Sequence, residues 1–217
     1  MFSPDQWLAS TGVSFYNGVA TQSLRFDNAR NSFLNRTPSI AGNQKTWTWS
    51  GWVKRNNSSS PLFRSINASG FVLLRFLSDQ INLIWFSSNT AQWSVTTNAL
   101  YRDFSAWYHI VVAFDTTQGT ASNRVKIYVN GVQETSLATA SYPNQNNDSL
   151  VNQTLVHSFA TTGALDAYMA EVNLIDGQAL DPTSFGETKN GVWIPKAYTG
   201  SYGTNGFRLQ FNQTGTG

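Results

Sequence analysis

The sequence predicts an all-β chain, a two-sheet antiparallel sandwich or jelly roll with short turns of helix at most. Three observations carry that prediction. Apolar residues recur with period two through most of the chain, the pattern of half-buried strands, and no amphipathic helix longer than a turn or two is visible. The alternating runs are separated by turn-rich segments such as "NNSSSP" and "SYPNQNNDS". Aromatics make up 14% of the 217 residues and eight of them are Trp, which is enough apolar surface to build one large core. The length suits a single β domain of ~200–250 residues.

Taken in chain order, residues 1–20 lack the alternation but contain Phe2, Trp7, Phe15 and Tyr16. Such an apolar arm is expected to dock on its own domain or on a neighbour. The arm spans 1–22, the sandwich 23–211 and a short tail 212–217. Strands are expected at 23–27, 46–54, 71–77, 81–86, 91–96, 107–115, 124–130, 154–159, 168–175 and 207–211. "DPTSFGE" (181–187) reads as one helical turn, with Asp181 as its cap and Pro182 at the first helical position. Side chains alternate across a strand, so parity assigns the faces. Trp47, Trp49 and Val53 oppose Thr46, Thr48, Ser50, Trp52 and Lys54. Tyr108, Ile110, Val112 and Phe114 oppose Trp107, His109, Val111 and Ala113. Val125, Ile127 and Val129 oppose Lys126 and Tyr128. Tyr168, Ala170, Val172 and Leu174 oppose Met169, Glu171, Asn173 and Ile175. The apolar faces are expected to meet between the sheets, leaving the mixed faces outside.

Composition excludes several classes of function. Only 12% of residues are charged, the net charge is +2, and no block of Lys or Arg occurs, so the footprint of a nucleic-acid binder is missing. Without Cys there are no disulfides, thiolate metal sites or thiol catalysis, which fits assembly in a reducing cytosol. The opening residues lack the basic and apolar regions of a signal peptide. No run approaches the ~18 apolar residues of a membrane span, so membrane insertion is not expected.

The strings "TWTWSGWVKR", "AWYHIVVAFDTTQGTASNRVKIYVNGVQ" and "YMAEVNLIDGQALDPTSFGE" follow one another in an order that resembles the concanavalin A-like lectin/glucanase (laminin-G-like) jelly roll. With "QSLRF" and "GVWIPKAYTGSYGTNGFRLQF", roughly Gln22 to Phe211 resembles the version of that domain found in structural proteins of tailed bacteriophages. The resemblance implies a virion protein, either a head decoration or a tail- or fibre-associated surface protein, assembled in the host cytoplasm. Its partners would be other virion proteins and further copies of itself, as a trimer. The chain ends at "FNQTGTG", which on the same resemblance reads as a small stand-alone virion protein rather than part of a long fibre.

One scaffold serves lectins, hydrolases and spacers in this superfamily, so the residues must separate them. Glucanases of this type carry Glu-x-Asp-x-x-Glu on one strand. Here the place is held by Glu171-Val-Asn173-Leu-Ile-Asp176, with Asn for the middle Asp and Asp for the last Glu. The spacing sets Glu171 and Asp176 on opposite faces unless a bulge intervenes, and retaining or inverting chemistry needs both carboxyls at one cleft. His109 and His157 have no nucleophile signature beside them, and no zinc-ligand spacing occurs. No enzyme activity is therefore expected, and no cofactor. Calcium stays open, with Asp115 and Asn130 near strand ends where loop oxygens gather. Glycan binding is the activity the composition allows, with aromatic plates ringed by polar groups. One candidate set is Trp52, Trp107 and Tyr128 with Lys126, Asn173 and Glu171; a second is Trp93 and Tyr101 near Asn98. Packing beneath loops or against a neighbour is the competing, and preferred, role for these aromatics.

Overall fold

A computed structural model describes residues 17–30, 32–159 and 165–212. The described chain forms two seven-stranded antiparallel sheets and a separate hairpin. The first sheet runs β1 (Leu24–Phe26), β13 (Ala167–Asp176), β3 (Thr46–Arg55), β8 (Tyr108–Asp115), β9 (Val125–Val129) and β10 (Val132–Gln133), with β16 (Phe207–Leu209) also paired to β13. The second runs β11 (Leu137–Ser141), β7 (Thr90–Thr97), β6 (Gln80–Ser87), β5 (Gly70–Leu77), β4 (Ser60–Ile66), β12 (Val156–Phe159) and β2 (Leu34–Arg36). The hairpin pairs β14 (Gly186–Lys189) with β15 (Val192–Pro195). The arm residues Phe2, Trp7, Phe15 and Tyr16 lie outside the described residues, as does the tail beyond 212.

Every expected strand is present with slightly moved ends, and β2, β4, β10, β11, β14 and β15 are additional. β4 escapes notice because Pro61 and the serines before it read as turn. The sheet accommodates Pro61 where the register against β5 shifts between Pro61 and Phe63, and where β12, which begins its pairing at Phe63, does not reach. A residue without an N–H is tolerated at such a bulge. The turn expected at 181–187 is a 3₁₀ helix, Pro182–Ser184, capped by Asp181, which accepts from the Thr183 N–H at 2.8 Å.

The inner faces of β3, β8 and β9 are those that parity assigns. Trp47, Trp49, Val53, Tyr108, Ile110, Val112, Phe114, Val125, Ile127 and Val129 join one buried cluster with Phe76, Ile81, Leu83 and Val95 of the facing sheet. Trp47 stacks on Phe114 at 4.7 Å between ring centroids.

β13 departs from parity. Ala167 and Met169 are buried in the same cluster as Val172 and Leu174, so the expected alignment of Tyr168 and Ala170 with Val172 and Leu174 is wrong for the first half of the strand. The cause is a bulge. Ala170 pairs with Trp52 and Asn173 with Ser50, so Glu171 and Val172 together oppose Gly51. Glu171 takes a left-handed φ of +46° to absorb the extra residue, and parity inverts at that point.

Candidate functional site

The outer face of the first sheet is not left bare. Residues after β13 fold back over it. Thr48 Oγ1 donates to the Gln178 carbonyl at 2.7 Å and accepts from the Leu180 N–H at 2.8 Å. Phe185 packs on Val111 and Ile175 in a second small core, with Tyr198 and Tyr202 beside it. The outward Val111 and Ile175 explain the cover, since two fully buried aliphatics need an apolar lid.

His109 is the centre of this layer. Its ring lies between two indoles, 4.9 Å from Trp52 and 6.0 Å from Trp193. The Trp193 Nε1–H donates to Nδ1 at 2.9 Å, which makes Nδ1 the acceptor and leaves Nε2 as the N–H that donates to Ser50 Oγ at 2.9 Å. That neutral tautomer is the only one satisfying both contacts. Full burial accordingly pushes the imidazole down to about 3. Two glycines make room for the Trp193 ring: a Cβ on Gly131 would meet it at 2.7 Å and one on Gly186 at 2.4 Å. Gly131 also follows Asn130 in a turn with φ of +48° and +84°, which Asn-Gly adopts readily.

Depressed histidines fix the sign of an acid response. The unfolded chain takes up a proton near the ordinary 6.5, while folded His109 resists until about 3, so stability is whole above that window and falls as pH drops through it. His157, lowered chiefly by burial, acts in the same direction. The His109 contribution approaches ~1.4 kcal/mol per pH unit inside the window. Denaturant titrations at several pH values, run on wild type and His109→Gln, are expected to give the variant the shallower dependence.

Two depressions flank this centre. The first is an apolar groove of about 480 Å³ formed by Trp52, Trp107 and Trp193 with Ala170, Val192 and Pro195, closed along one side by residues 20–23. Trp107, 37% exposed, and Val192, 48% exposed, are its open walls. The second, about 390 Å³, is more polar: Tyr128 and Lys126 of β9 with Asp115, Gln118, Asn123 and Asp181.

The sequence candidates are thus divided. Trp52 and Trp107 share the groove, and Tyr128 lies in the polar depression. Glu171 and Asn173 are buried and belong to neither. Glu171 accepts from Arg208 Nε at 2.8 Å, and Asn173 accepts from the Tyr202 hydroxyl at 3.1 Å. Trp93 is 3% exposed within the inter-sheet core, against Phe114. Tyr101 packs edge-on against Phe76 and Tyr108, and burial pushes its hydroxyl pKa up. Neither ring is offered to a ligand. Trp193, the groove's third indole, went unread in the sequence although "KNGVW" carries the Asn-Gly turn of its hairpin.

The bulge that would have allowed Glu171 and Asp176 to share a face is present, yet each carboxylate has its own partners. Asp176, at the end of β13, accepts from the Asn43 N–H at 2.7 Å, the Asn152 amide at 3.1 Å and the Asn205 N–H at 2.9 Å. The oxygens considered for calcium are engaged too. Asp115 accepts from Thr117 and Gln118, and Asn130 Oδ1 accepts from the His109 N–H at 2.8 Å. Among the described residues no three His, Cys, Asp or Glu side chains gather as a metal site, and no helix is long and apolar enough to cross a membrane.

Known proteins bear on the fold. The chain is similar in structure to domains LG4-5 of the mouse laminin α1 chain, with a TM-score of 0.53 and 12% identity over 90% of this chain and 48% of that one. It is similar to the binding domain of botulinum neurotoxin serotype G, at 0.50 and 14% over 76% of this chain and 44% of that one. It is also similar to the serotype D binding domain, at 0.50 and 12% over 74% and 40%. The chain therefore spans about half the length of these structures or less. No curated protein sequence matches it. The model of one family matches residues 11–184, well over half of the sequence and ending before the hairpin that carries Trp193. The chain belongs to the concanavalin A-like lectin/glucanase superfamily, in its laminin-G-type family.

Proposed function

We propose that the chain is a non-enzymatic structural protein of a tailed-phage particle, a head decoration or tail-associated surface protein. The observation that carries this reading is how the outer face spends its chemistry internally. Glu171 is ion-paired to Arg208, Asp176 is saturated by three donors, and His109 is locked between indoles. A hydrolase of this scaffold needs two carboxylates at one bond, whereas a spacer needs a rigid sandwich. The motif strings that resemble phage structural proteins supply the particle context. In it the arm contacts other virion proteins, copies assemble with cyclic symmetry as a trimer, and assembly takes place in the host cytoplasm.

A second reading, attachment to a host-surface glycan, is favoured by the polar depression. There the Tyr128 ring can lie under a sugar while Lys126, Asn123 and Gln118 reach its hydroxyls. That two of the similar structures are toxin binding domains supports a recognition role in the same general way.

One comparison separates the two. Purified particles are expected to contain the chain at fixed stoichiometry by mass spectrometry, and Phe2→Ala/Trp7→Ala in the full chain is expected to reduce incorporation at least several-fold. Absence of the chain from particles would end the structural reading. Binding on a glycan array that disappears in Tyr128→Ala would instead establish the second.

A further inference from the structure

We propose that the outer face of the second sheet docks a protein surface rich in carboxylates and aromatic rings, with Arg64 and Arg75 as its anion receptors. The face belongs to the sheet opposite the Tyr128 depression, so the proposal stands apart from both readings above. The seven strands of this sheet contain three Arg, no Lys and no Asp or Glu. Arg36 is engaged by the Asn205 carbonyl and the Phe207 ring. Arg64 and Arg75 are not matched in this way. Arg64 pairs with Leu73 of β5, two residues from Arg75, so the two arginines are diagonal neighbours on one face, ~7–8 Å apart at Cα. Neither has a carboxylate at ion-pair distance among the described residues. The Arg64 Nε is buried without a described hydrogen-bond partner, and the Arg75 Nε donates to Asn82 Oδ1 at 2.9 Å. Burial lowers the pKa of both guanidiniums, as expected of cations that have lost water without gaining an anion.

The same face is apolar around the arginines. Leu73 pairs with Ile84, and Phe71 with Phe86, whose rings stack at 5.4 Å. Ile66 and Val156, paired between β4 and β12, continue the patch. None of these six side chains joins either buried cluster, because their neighbours Val72, Leu74 and Leu83 take the inward side. Beside Arg75, where the register shifts after Pro61, lies a recess of about 230 Å³ walled by Pro61, Leu73 and Leu77. The neutral polar groups of the face are already engaged: the Asn82 amide donates to Ser94 and Thr96 at 2.9 Å each.

These features select the occupant. Arginine among aromatic and aliphatic side chains, without Lys, is the composition of a protein-binding surface. A sugar needs free amides and hydroxyls around its ring, and here Asn82, Ser94 and Thr96 are engaged with one another. Anionic lipid surfaces are read by clusters of ~4–8 cations, more than this face presents. A second copy laid across a two-fold axis would set arginines against arginines with no carboxylate between them. An acidic and aromatic protein surface fits instead: its carboxylates meet the forked ends of Arg64 and Arg75, and one apolar side chain enters the recess.

The test uses the full chain with a random glutamate–tyrosine copolymer as probe. Wild type is expected to bind it more tightly than polyglutamate, and Arg64→Gln/Arg75→Gln to lose roughly tenfold in affinity per arginine. Arg30→Gln/Lys45→Gln removes the same charge from exposed positions elsewhere and is expected to stay within about twofold of wild type. Phenylglyoxal labelling of the wild-type chain, mapped by mass spectrometry, reads the contact without any substitution. The copolymer is expected to protect Arg64 and Arg75 and to leave Arg30 reactive. Absence of binding, or equal losses in the two double variants, would overturn the proposal. So would protection of Arg64 and Arg75 by heparin or phosphatidylglycerol vesicles but not by the copolymer, which would give the face to a sulfated glycan or a lipid surface. Protection that rises with protein concentration alone would overturn it by giving the face to a second copy.

Discussion

Val112→Asp is expected to abolish soluble folding. Val112 sits in the middle of β8 with no exposed surface, paired with Trp49 on one side and Ile127 on the other. Both neighbours face the second sheet. Losing the valine forfeits ~1.5–3 kcal/mol of apolar burial. The carboxylate adds several kcal/mol more, because the inward cation Arg55 is already committed to Asp79, the Trp49 indole N–H is a single neutral donor, and protonation alone still buries polar oxygens. The sum approaches the ~5–15 kcal/mol that separates a folded domain of this kind from its unfolded chain. Val132→Asp serves as the control, since Val132 is 68% exposed on the short edge strand β10. Soluble yield and the thermal transition read the outcome. An unaltered transition in Val112→Asp would mean that β8 does not turn this face inward.

That expectation was legible in the sequence because period two survives unbroken through β8, where each residue type agrees with its side of the sheet. β13 shows where the rule ends. A bulge costs one residue and leaves no composition mark when the residue at left-handed φ is a Glu instead of a Gly, so parity read across Glu171 gives the wrong face for Tyr168 and Ala170. The groove was half legible for a related reason. Trp52 lies on β3 and Trp107 immediately precedes β8, so their outward sides could be counted, but Trp193 arrives from a four-residue strand too short to show alternation. Trp93 misled in the opposite direction. An aromatic between Gln92 and Ser94 reads as a ring on a polar surface, whereas β7 lies inside the second sheet and turns Trp93 inward to Phe114. Exposure of an aromatic depends on what crosses above it, and the crossing segment here, from Gln178 onward, is more than 60 residues away in sequence from β8 and more than 120 from β3.

Asp79→Ala is expected to be among the most damaging substitutions at a charged position. Parity continues past Val53 to place Arg55 inward, and its side chain is fully buried at the end of β3. The guanidinium lies 4.5 Å from the Phe76 ring and 4.8 Å from that of Phe104. It donates to the Asn57 carbonyl at 2.7 Å and to the Tyr101 carbonyl, and its counter-charge is Asp79 Oδ1 at 2.8 Å. Arg102 reaches the same carboxylate only from the surface, at 3.8 Å. Removing Asp79 leaves a desolvated cation with carbonyl and ring contacts but no anion, a loss of ~3–5 kcal/mol. At ~2–4 °C per kcal/mol for a domain of this size, Tm should fall by about 10 °C. Backbone strain must be separated from charge, because Asp79 sits at φ +71° in the Ser78-Asp79 turn joining β5 to β6, where Ala is disfavoured. Asp79→Asn keeps the turn preference and an acceptor oxygen while deleting the charge, and Asp79→Gly keeps the turn while deleting both. Asp79→Gly falling as far as Asp79→Ala, with Asp79→Asn between them and wild type, would assign the loss to the buried ion pair. If Asp79→Gly melts with wild type, the turn alone accounts for the alanine variant. Pairing Asp79→Asn with Arg55→Met should then recover part of the loss, since an apolar side chain of similar length between Phe76 and Phe104 needs no counter-charge.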